Sequence, residues 1–317
     1  MTERWIGAAP GKLILFGEHA VVFGRPAIAA PLSHGLAATI REINCPERRL
    51  LIPRWGKNGL KVIHKEGDGP KTDAISKAFV TALNLVGLDT SAGIEITIDG
   101  ELPLGVGLGS SAAFSVCLLR VLSAYCGRVP SSDELKGMAL TLERQFHGNP
   151  SGLDHSVIVD GCCVRFCAQD APRMRPLSIQ PLPLVISWTP RIGTTRDAVL
   201  GVNARHQKHP ELVGKIFQSM TDIVHQAEVF LSAGNLVEVG QLMNYNHGLL
   251  NALGVSRPEN EKLIQIARDA GALGAKLTGA GMGGAVIALA PNGGADRILN
   301  AFHEAGYPAL HDTVSNH

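Results

Sequence analysis

The chain lacks the features that define several large classes of protein. No uninterrupted apolar stretch approaches the roughly 20 residues that a membrane-spanning helix needs. The opening residues, Met-Thr-Glu-Arg-Trp, include an acid and no apolar core, so they do not form a secretory signal. Lysine and arginine total 29 against 28 aspartates and glutamates, without a basic block. This balance argues against nucleic acid or a membrane as a partner. We therefore expect a soluble cytoplasmic protein.

Cysteine is present without a metal-site pattern. Cys162, Cys163 and Cys167 form a cluster, but no second pair of ligands follows at the spacing of a zinc site. Cys117 and Cys126 lie in an apolar run that has the character of a helix. The sequence therefore predicts buried thiols that behave as small hydrophobic side chains.

The composition indicates a globular protein of two α+β halves. The chain has 317 residues, of which 45% are hydrophobic and 18% are charged. Residues 172–183 carry four prolines and little periodicity, which predicts a boundary there. We therefore expect an N-terminal domain over 1–175 and a C-terminal domain over 176–317. The sequence shows no internal repeat and no low-complexity segment.

Periodicity and turn residues predict the order of the elements. In the first half they predict strands at 13–16, 27–30, 36–41 and 93–98, an exposed hairpin or loop at 44–70, and helices at 72–86, 111–126 and 133–147. In the second half they predict a strand at 184–188, helices at 195–207, 211–233, 236–253 and 259–270, strands near 275 and at 286–290, a helix at 295–304 and a last short strand.

The most informative segment is Pro103-Leu-Gly-Val-Gly-Leu-Gly-Ser-Ser-Ala-Ala113. Its alternate glycines bring backbone N–H groups close to a ligand, and Ser110 or Ser111 is suited to cap the helix that follows. The positive end of a helix favours an anion such as phosphate. No lysine precedes the serines as a P-loop requires, and the preceding strand ends too early for a dinucleotide-binding turn. A serine-capped flexible turn remains the alternative.

Three further segments carry chemically useful residues. Residues 9–24 contain Lys12 in an apolar strand, followed by Glu18 and His19. Residues 143–154 pair Glu143 with His147 on one helix face, and a Gly-Asn-Pro break then predicts a structured loop that ends at Asp154. Residues 276–284 form a second glycine-rich loop between strands. Each segment alone has an ordinary structural interpretation, but together they supply what phosphoryl transfer requires.

These segments resemble the three conserved motifs of the GHMP small-molecule kinases, in the family's order and over residues 9–284. Within that family, His-Gly-Asn-Pro-Ser-Gly-Leu-Asp at 147–154 resembles the mevalonate kinases most closely. The resemblance implies an α+β, two-domain GHMP kinase fold. Its N-terminal domain would resemble domain 2 of ribosomal protein S5, and its C-terminal domain would be ferredoxin-like.

The resemblance also implies residue roles. Asp154 and Lys12 correspond to the catalytic pair, and Ser111 and Glu143 to the ligands of Mg²⁺. The substrate-binding positions are Glu18, His19, Thr195, Ala280 and Asp154. The ATP-binding positions are Pro103, Leu104, Gly105, Val106, Gly107, Leu108, Gly109, Ser110, Ser111, Ala112, Gly279 and Gly281. We expect these segments to meet around one bound triphosphate, with the Asp154 carboxylate facing an alcohol.

The implied reaction is the ATP- and Mg²⁺-dependent phosphorylation of the 5-hydroxyl of mevalonate. The resemblance also implies a homodimer. Phe114 departs from the family, which often has a tyrosine there, so a hydroxyl that could touch substrate is missing. Two alternatives stay open. One is a related kinase for phosphomevalonate, homoserine or a sugar, and the other is a non-catalytic sensor of the same fold.

Overall fold

The computed structural model describes residues 5–55, 58–65, 67–68, 71–88, 93–147, 150–190 and 192–315. Helices and strands mix along the described chain, which confirms the α+β class. Two compact units are present. Unit 1 comprises Met1–Gly11, His34–Leu104 and Gly109–Asp160, and unit 2 comprises Lys12–Ser33, Gly105–Leu108 and Gly161–His317. A domain boundary at residue 175 stays a prediction. In the described ranges, no helix has the length and apolar character to cross a bilayer.

Unit 1 combines a sheet with four helices among its described residues. Strands β1 (Trp5–Phe16) and β2 (Ala27–Glu42) each run from one unit into the other, and β3 (Arg48–Ile52), β4 (Leu60–His64) and β5 (Ile94–Gly100) belong to unit 1 alone. The strand order is β4-β3-β5-β2, in which β3 and β5 are parallel. The helices are α1 (Ala74–Val86), α2 (Ser110–Tyr125), α3 (Ser132–His147) and α4 (Leu153–Asp160).

Helix α2 is the centre of unit 1 and begins at the glycine-rich loop. It is apolar on every side, and α1, α3 and α4 all pack against it, as expected of a helix without a polar face. The predicted serine cap is wrong. Gly109 is the N-cap residue, with φ 73°, and no side chain caps the helix. Its left-handed conformation turns the chain directly into the helix, so Ser110 is already helical.

The described elements of unit 2 are a 3-10 turn (Ala20–Phe23), β6 (Val164–Phe166), β7 (Met174–Pro176), β8 (Leu182–Thr189), α5 (Thr195–Lys208), α6 (Pro210–Ala233), α7 (Leu236–Ala252), α8 (Pro258–Asp269), β9 (Gly274–Leu277), β10 (Gly284–Leu289), α9 (Ala295–Glu304) and β11 (Ala309–Val314). Its last four strands form an antiparallel sheet in the order β11-β8-β10-β9. The core lies between sheet and helices, where Phe217, Met220, Leu263 and Phe302 are buried.

Two strand predictions need correction. The predicted strands at 27–30 and 36–41 are one strand, β2. Its first residues pair with β6 and its last residues with β5, and Pro31 lies between these pairings. A proline interrupts a strand only where its missing N–H is needed. The hairpin predicted within 44–70 is confirmed as β3 and β4. The prediction that it is exposed is wrong, because β3 also pairs with β5 and buries Leu50 and Ile52.

The cysteines divide into two groups. Cys117, Cys163 and Cys167 are buried free thiols, as predicted. Burial raises the pKa of Cys117 and of Cys163 to about 12, so both stay protonated and unreactive at neutral pH. Cys126 and Cys162 are only partly buried, so the prediction is wrong for these two.

Candidate functional site

In unit 1, the starts and ends of neighbouring helices bring a hydroxyl and a carboxylate together. Ser111 lies in the first turn of α2 and Glu143 in the last turns of α3. Ser111 Oγ is 3.4 Å from Glu143 Oε2 and 2.9 Å from His147 Nε2, while Ser115 Oγ donates to Glu143 Oε1 at 3.3 Å. The Glu143 side chain is 2% exposed, whereas His147 is 40% exposed. Glu143 and His147 are therefore not the surface pair that their spacing usually indicates.

Asp154 lies on a helix rather than in the predicted loop. It is the second residue of α4, which packs against α2 and α3, the helices that carry Ser111 and Glu143. The loop prediction is wrong because the break around Pro150 is short and α4 begins directly after it; Gly148 and Asn149 lie outside the described residues.

In unit 2, the two glycine-rich loops lie against each other. Val106 O accepts from Ala285 N at 2.8 Å, which fixes the first loop to β10. A Cβ atom on Gly279 would lie 3.2 Å from Gly107 O, and one on Gly107 would lie 3.3 Å from Thr278 O. Both glycines have positive φ. Glycine is thus required here for backbone conformation and for close approach of the two loops.

Lys12 and Thr195 occupy fixed positions in unit 2. Lys12 is 4% exposed, and its backbone N–H donates to Leu108 O of the first glycine loop at 3.0 Å. Thr195 is the first residue of α5, next to the capping residue Thr194. The segment before α5 is joined to the second glycine loop, because Ile192 N donates to Met282 O at 2.9 Å.

Glu18 belongs to a buried polar cluster. The side chains of Glu18 and Lys276 are both fully buried and form an ion pair. Asn246 Nδ2 donates to the other carboxylate oxygen at 3.0 Å, and Lys276 Nζ also donates to Leu277 O at 2.7 Å. Burial lowers the pKa of Lys276, while the carboxylate of Glu18 opposes that shift.

His19 has a strained backbone, and its polar ring is buried in unit 2. Its φ of 60° and ψ of −49° are unusual for a residue with a side chain. Nε2 lies 3.0 Å from Ala280 O, so the Nε2–H tautomer donates to this carbonyl, and Nδ1 is buried without a hydrogen-bond partner. Burial lowers the pKa of His19 to about 4, so the ring is neutral at physiological pH.

The predicted site residues divide between the units. Unit 1 holds Pro103, Leu104, Gly109, Ser110, Ser111, Ala112, Glu143 and Asp154, and unit 2 holds Lys12, Glu18, His19, Gly105, Val106, Gly107, Leu108, Thr195, Gly279, Ala280 and Gly281. The meeting of Lys12 with Asp154 stays a prediction. Sequence reasoning missed Asn246 and the side-chain contacts of Lys276 and Thr278. A lysine within the short apolar strand β9 was the only available signal for them.

Phe114, the departure from the family pattern, belongs to an aromatic cluster in unit 1. Its ring is fully buried, 5.4 Å from the ring of Trp55 and 5.9 Å from that of Phe146. An aromatic side chain in such a cluster stabilises the fold through packing. Phenylalanine, which lacks the hydroxyl of tyrosine, therefore still packs well at this position.

In unit 1, the carboxylate of Glu143 and the hydroxyl of Ser111 lie close enough together to hold a cation. No group of three or more His, Cys, Asp or Glu side chains suited to a metal occurs in the described part of the chain. A hard cation that keeps several waters needs fewer protein ligands, and Ser111 and Glu143 are of that type.

Comparison with known proteins identifies the family. The model of the GHMP kinases N terminal domain matches residues 74–161, and that of the GHMP kinases C terminal region matches residues 223–308. The chain is 36% identical to the mevalonate kinase of Pyrococcus horikoshii, covering 92% of this chain and 90% of that protein. It is 38% identical to the mevalonate kinase of Pyrococcus furiosus, with 90% and 89% covered.

Solved structures agree with these matches. The structure of L. major mevalonate kinase in complex with R-mevalonate superimposes with a TM-score of 0.85 at 31% identity, covering 100% of this chain and 97% of that one. Lactococcus lactis galactokinase, in complex with galactose, superimposes with a TM-score of 0.76 at 22% identity, over 99% of this chain and 94% of that one, and shows the fold alone. The chain is a member of the GHMP kinase family and has its two-domain fold.

Proposed function

We propose that this chain is a mevalonate kinase, which transfers the γ-phosphoryl group of ATP to the 5-hydroxyl of mevalonate. The observation that carries the proposal is the 36–38% identity to mevalonate kinases over at least 89% of both partners. The four residues that the family resemblance assigns to catalysis and to Mg²⁺ are present in this chain: Lys12, Ser111, Glu143 and Asp154. The product would be 5-phosphomevalonate, an intermediate of isoprenoid synthesis by that resemblance.

The catalytic roles follow from the chemistry of phosphoryl transfer, in which positioning and charge stabilisation provide most of the rate. Asp154 takes or orients the proton of the substrate hydroxyl. Lys12 balances the negative charge of the transferred group, and its backbone bond to the first glycine loop supports that role. The glycine loops present backbone N–H groups to the phosphates.

The residues fit a magnesium ion. Mg²⁺ binds oxygen ligands at about 2.0–2.1 Å, so neighbouring ligands of an octahedral ion are about 2.9 Å apart. Ser111 Oγ and Glu143 Oε2 lie 3.4 Å apart, close to that separation. These two residues would hold the ion, with waters and phosphate oxygens as its other ligands. When bound, Mg²⁺ neutralises charge on the phosphate oxygens.

His19 provides an acceptor for the alcohol substrate. With Nε2–H directed to Ala280 O, the buried Nδ1 carries a free lone pair. Such an atom pairs with a donor such as a hydroxyl, and not with a carboxylate. Thr195 and Ala280 complete the proposed substrate contacts. A homodimer, carried over from the family resemblance, and a cytoplasmic location, expected from the composition, are part of the same proposal.

A substrate panel tests the function. With ATP and Mg²⁺, we expect phosphoryl transfer to mevalonate and little or none to phosphomevalonate, homoserine or galactose, measured by coupled ADP release. Faster transfer to another alcohol would replace mevalonate with that substrate within the same family. Binding of ATP and mevalonate without any product would identify a non-catalytic sensor instead.

Replacing Glu143 with glutamine tests the magnesium ligands. The carboxamide keeps the shape of the side chain but removes the charge that binds the cation. We expect the Mg²⁺ concentration for half-maximal rate to rise by about tenfold, since one tenfold step corresponds to about 1.4 kcal/mol. Glu134→Gln, on the exposed start of the same helix, is the control and should leave this concentration unchanged. An unchanged Mg²⁺ dependence in Glu143→Gln would remove Glu143 from the proposed ligands.

A further inference from the structure

Alternate residues of the second glycine-rich loop, residues 276–284, contact the segment 9–24. Lys276 pairs with Glu18, Thr278 bonds Ile14, and Ala280 accepts from His19. The Thr278 hydroxyl both accepts from Ile14 N at 3.0 Å and donates to Ile14 O at 2.9 Å. All of these residues belong to unit 2. The loop is therefore attached along β1 and the turn that follows it, in addition to its contact with the first glycine loop.

Of these three contacts, the one at Glu18 has the strictest requirement for partners, because it involves buried charges. A buried charge is tolerated only when it is paired and hydrogen-bonded. Lys276 donates a hydrogen bond to one carboxylate oxygen of Glu18, and Asn246 donates to the other. The side chains of Glu18 and Lys276 are both fully buried. Both carboxylate oxygens of Glu18 are thus occupied by partners within the protein, whereas Nδ1 of His19 has no hydrogen-bond partner.

The next residue in the chain, His19, has the strained backbone. The peptide that follows Glu18 must hold His19 at φ 60° while its ring reaches Ala280 O. Strained conformations persist only where surrounding contacts over-determine them. The side-chain bonds of Glu18, the bond to Ala280 O and the bond that His19 O accepts from Val22 N at 3.0 Å surround this residue.

We propose that Lys276 and Asn246 are positioning residues, which hold Glu18 and thereby keep Nδ1 of His19 directed at the alcohol substrate. This inference rests on the proposed function. It replaces the substrate contact that the family resemblance implies for Glu18 with an indirect role, in which Glu18 acts through the turn. The ATP-binding role of the neighbouring glycines is separate, so the alcohol and the nucleotide should respond differently when the ion pair is removed.

The test uses a variant without buried charge. Lys276→Met alone leaves an unpaired carboxylate in the interior and destabilises the fold, so the informative protein is the double variant Glu18→Gln/Lys276→Met. Asn246→Ala keeps the ion pair and removes a single hydrogen bond. Lys262→Met replaces an exposed lysine of α8 and is the matched control.

The expected result is a split between the two substrates. In the double variant the KM for mevalonate should rise by about tenfold or more, with the KM for ATP within about threefold of wild type. Asn246→Ala should raise the KM for mevalonate by about threefold to fivefold. Lys262→Met should match the wild type. An unchanged KM for mevalonate in a folded double variant would overturn the proposal, and so would equal increases for both substrates.

Hydrogen exchange gives a readout that does not depend on turnover. The amides of Val21, Val22 and Gly24 bond within the turn that contains His19. In the double variant these amides should exchange about tenfold faster, while amides in α6 keep their protection. Unchanged exchange in the turn would overturn the positioning role even if the substrate proved to be another alcohol. A wild-type protein that fails to phosphorylate mevalonate would reject the proposed function alone.

Discussion

Replacing Asp154 with asparagine is expected to lower kcat by about 10³-fold, while the affinity for ATP stays within about threefold of wild type. The carboxamide has the shape of the carboxylate but cannot take the proton of the attacking hydroxyl. Asp154 is half-buried in the first turn of α4, so the substitution removes a charge without opening a cavity. Steady-state turnover with mevalonate and calorimetric titration with ATP measure the two quantities.

The chain offers a matched control for this substitution. Asp133 is also an aspartate in the first turn of a helix, α3, and its side chain is 98% exposed. Asp133→Asn should leave kcat unchanged, since the general loss of a first-turn charge costs well under about 1 kcal/mol of stability. Turnover of Asp154→Asn within tenfold of wild type would contradict the catalytic assignment.

Local patterns in the sequence predicted most helices correctly. Helix α1 begins after Asp73, whose side chain caps Ser76 N, and α5 begins with a capping box at Thr194 and Asp197. In both, the cap and the periodicity that follows are encoded by neighbouring residues. The short helix α4 was missed because eight residues provide little periodicity, and a proline and a glycine lie just before it.

Contacts between distant residues could not be predicted in the same way. Glu18 and Lys276 are 258 positions apart, and nothing near either residue identifies its partner. That β2 continues through Pro31 could not be predicted from neighbouring residues either. The effect of a proline depends on which strand lies opposite, and β2 changes partner from β6 to β5.

The candidate site contains features set by local sequence and features set by contacts between distant residues. The spacing of Glu143 and His147 placed both residues on one helix face, and α3 confirms that face, but their contact with Ser111 depends on how α2 packs against α3. The roles of these residues came from resemblance to a family, and no local pattern distinguishes a magnesium ligand from a buried carboxylate. The assigned roles of Asp154 and Lys12 therefore stay predictions that substitution must test.

Replacing Lys12 with methionine is the second large-effect prediction. Methionine keeps the apolar length of the side chain, which suits a residue that is only 4% exposed, but removes the ammonium group. Loss of one group that stabilises charge in a transition state typically costs about 10²–10³-fold in kcat. We expect a fall of that size in turnover of mevalonate, with ATP still bound, because the backbone bond from Lys12 to Leu108 does not involve the side chain.

Two further variants separate charge from packing at this position. Lys12→Arg retains a positive charge in a different shape and should recover part of the lost kcat, because guanidinium and ammonium place their donors differently. Lys77→Met, on the exposed face of α1, controls for the general loss of one lysine and should turn over normally. If Lys12→Met folds, binds ATP and retains kcat within a few fold of wild type, the ammonium group has no part in the transfer, and the charge of the phosphoryl group must be balanced elsewhere.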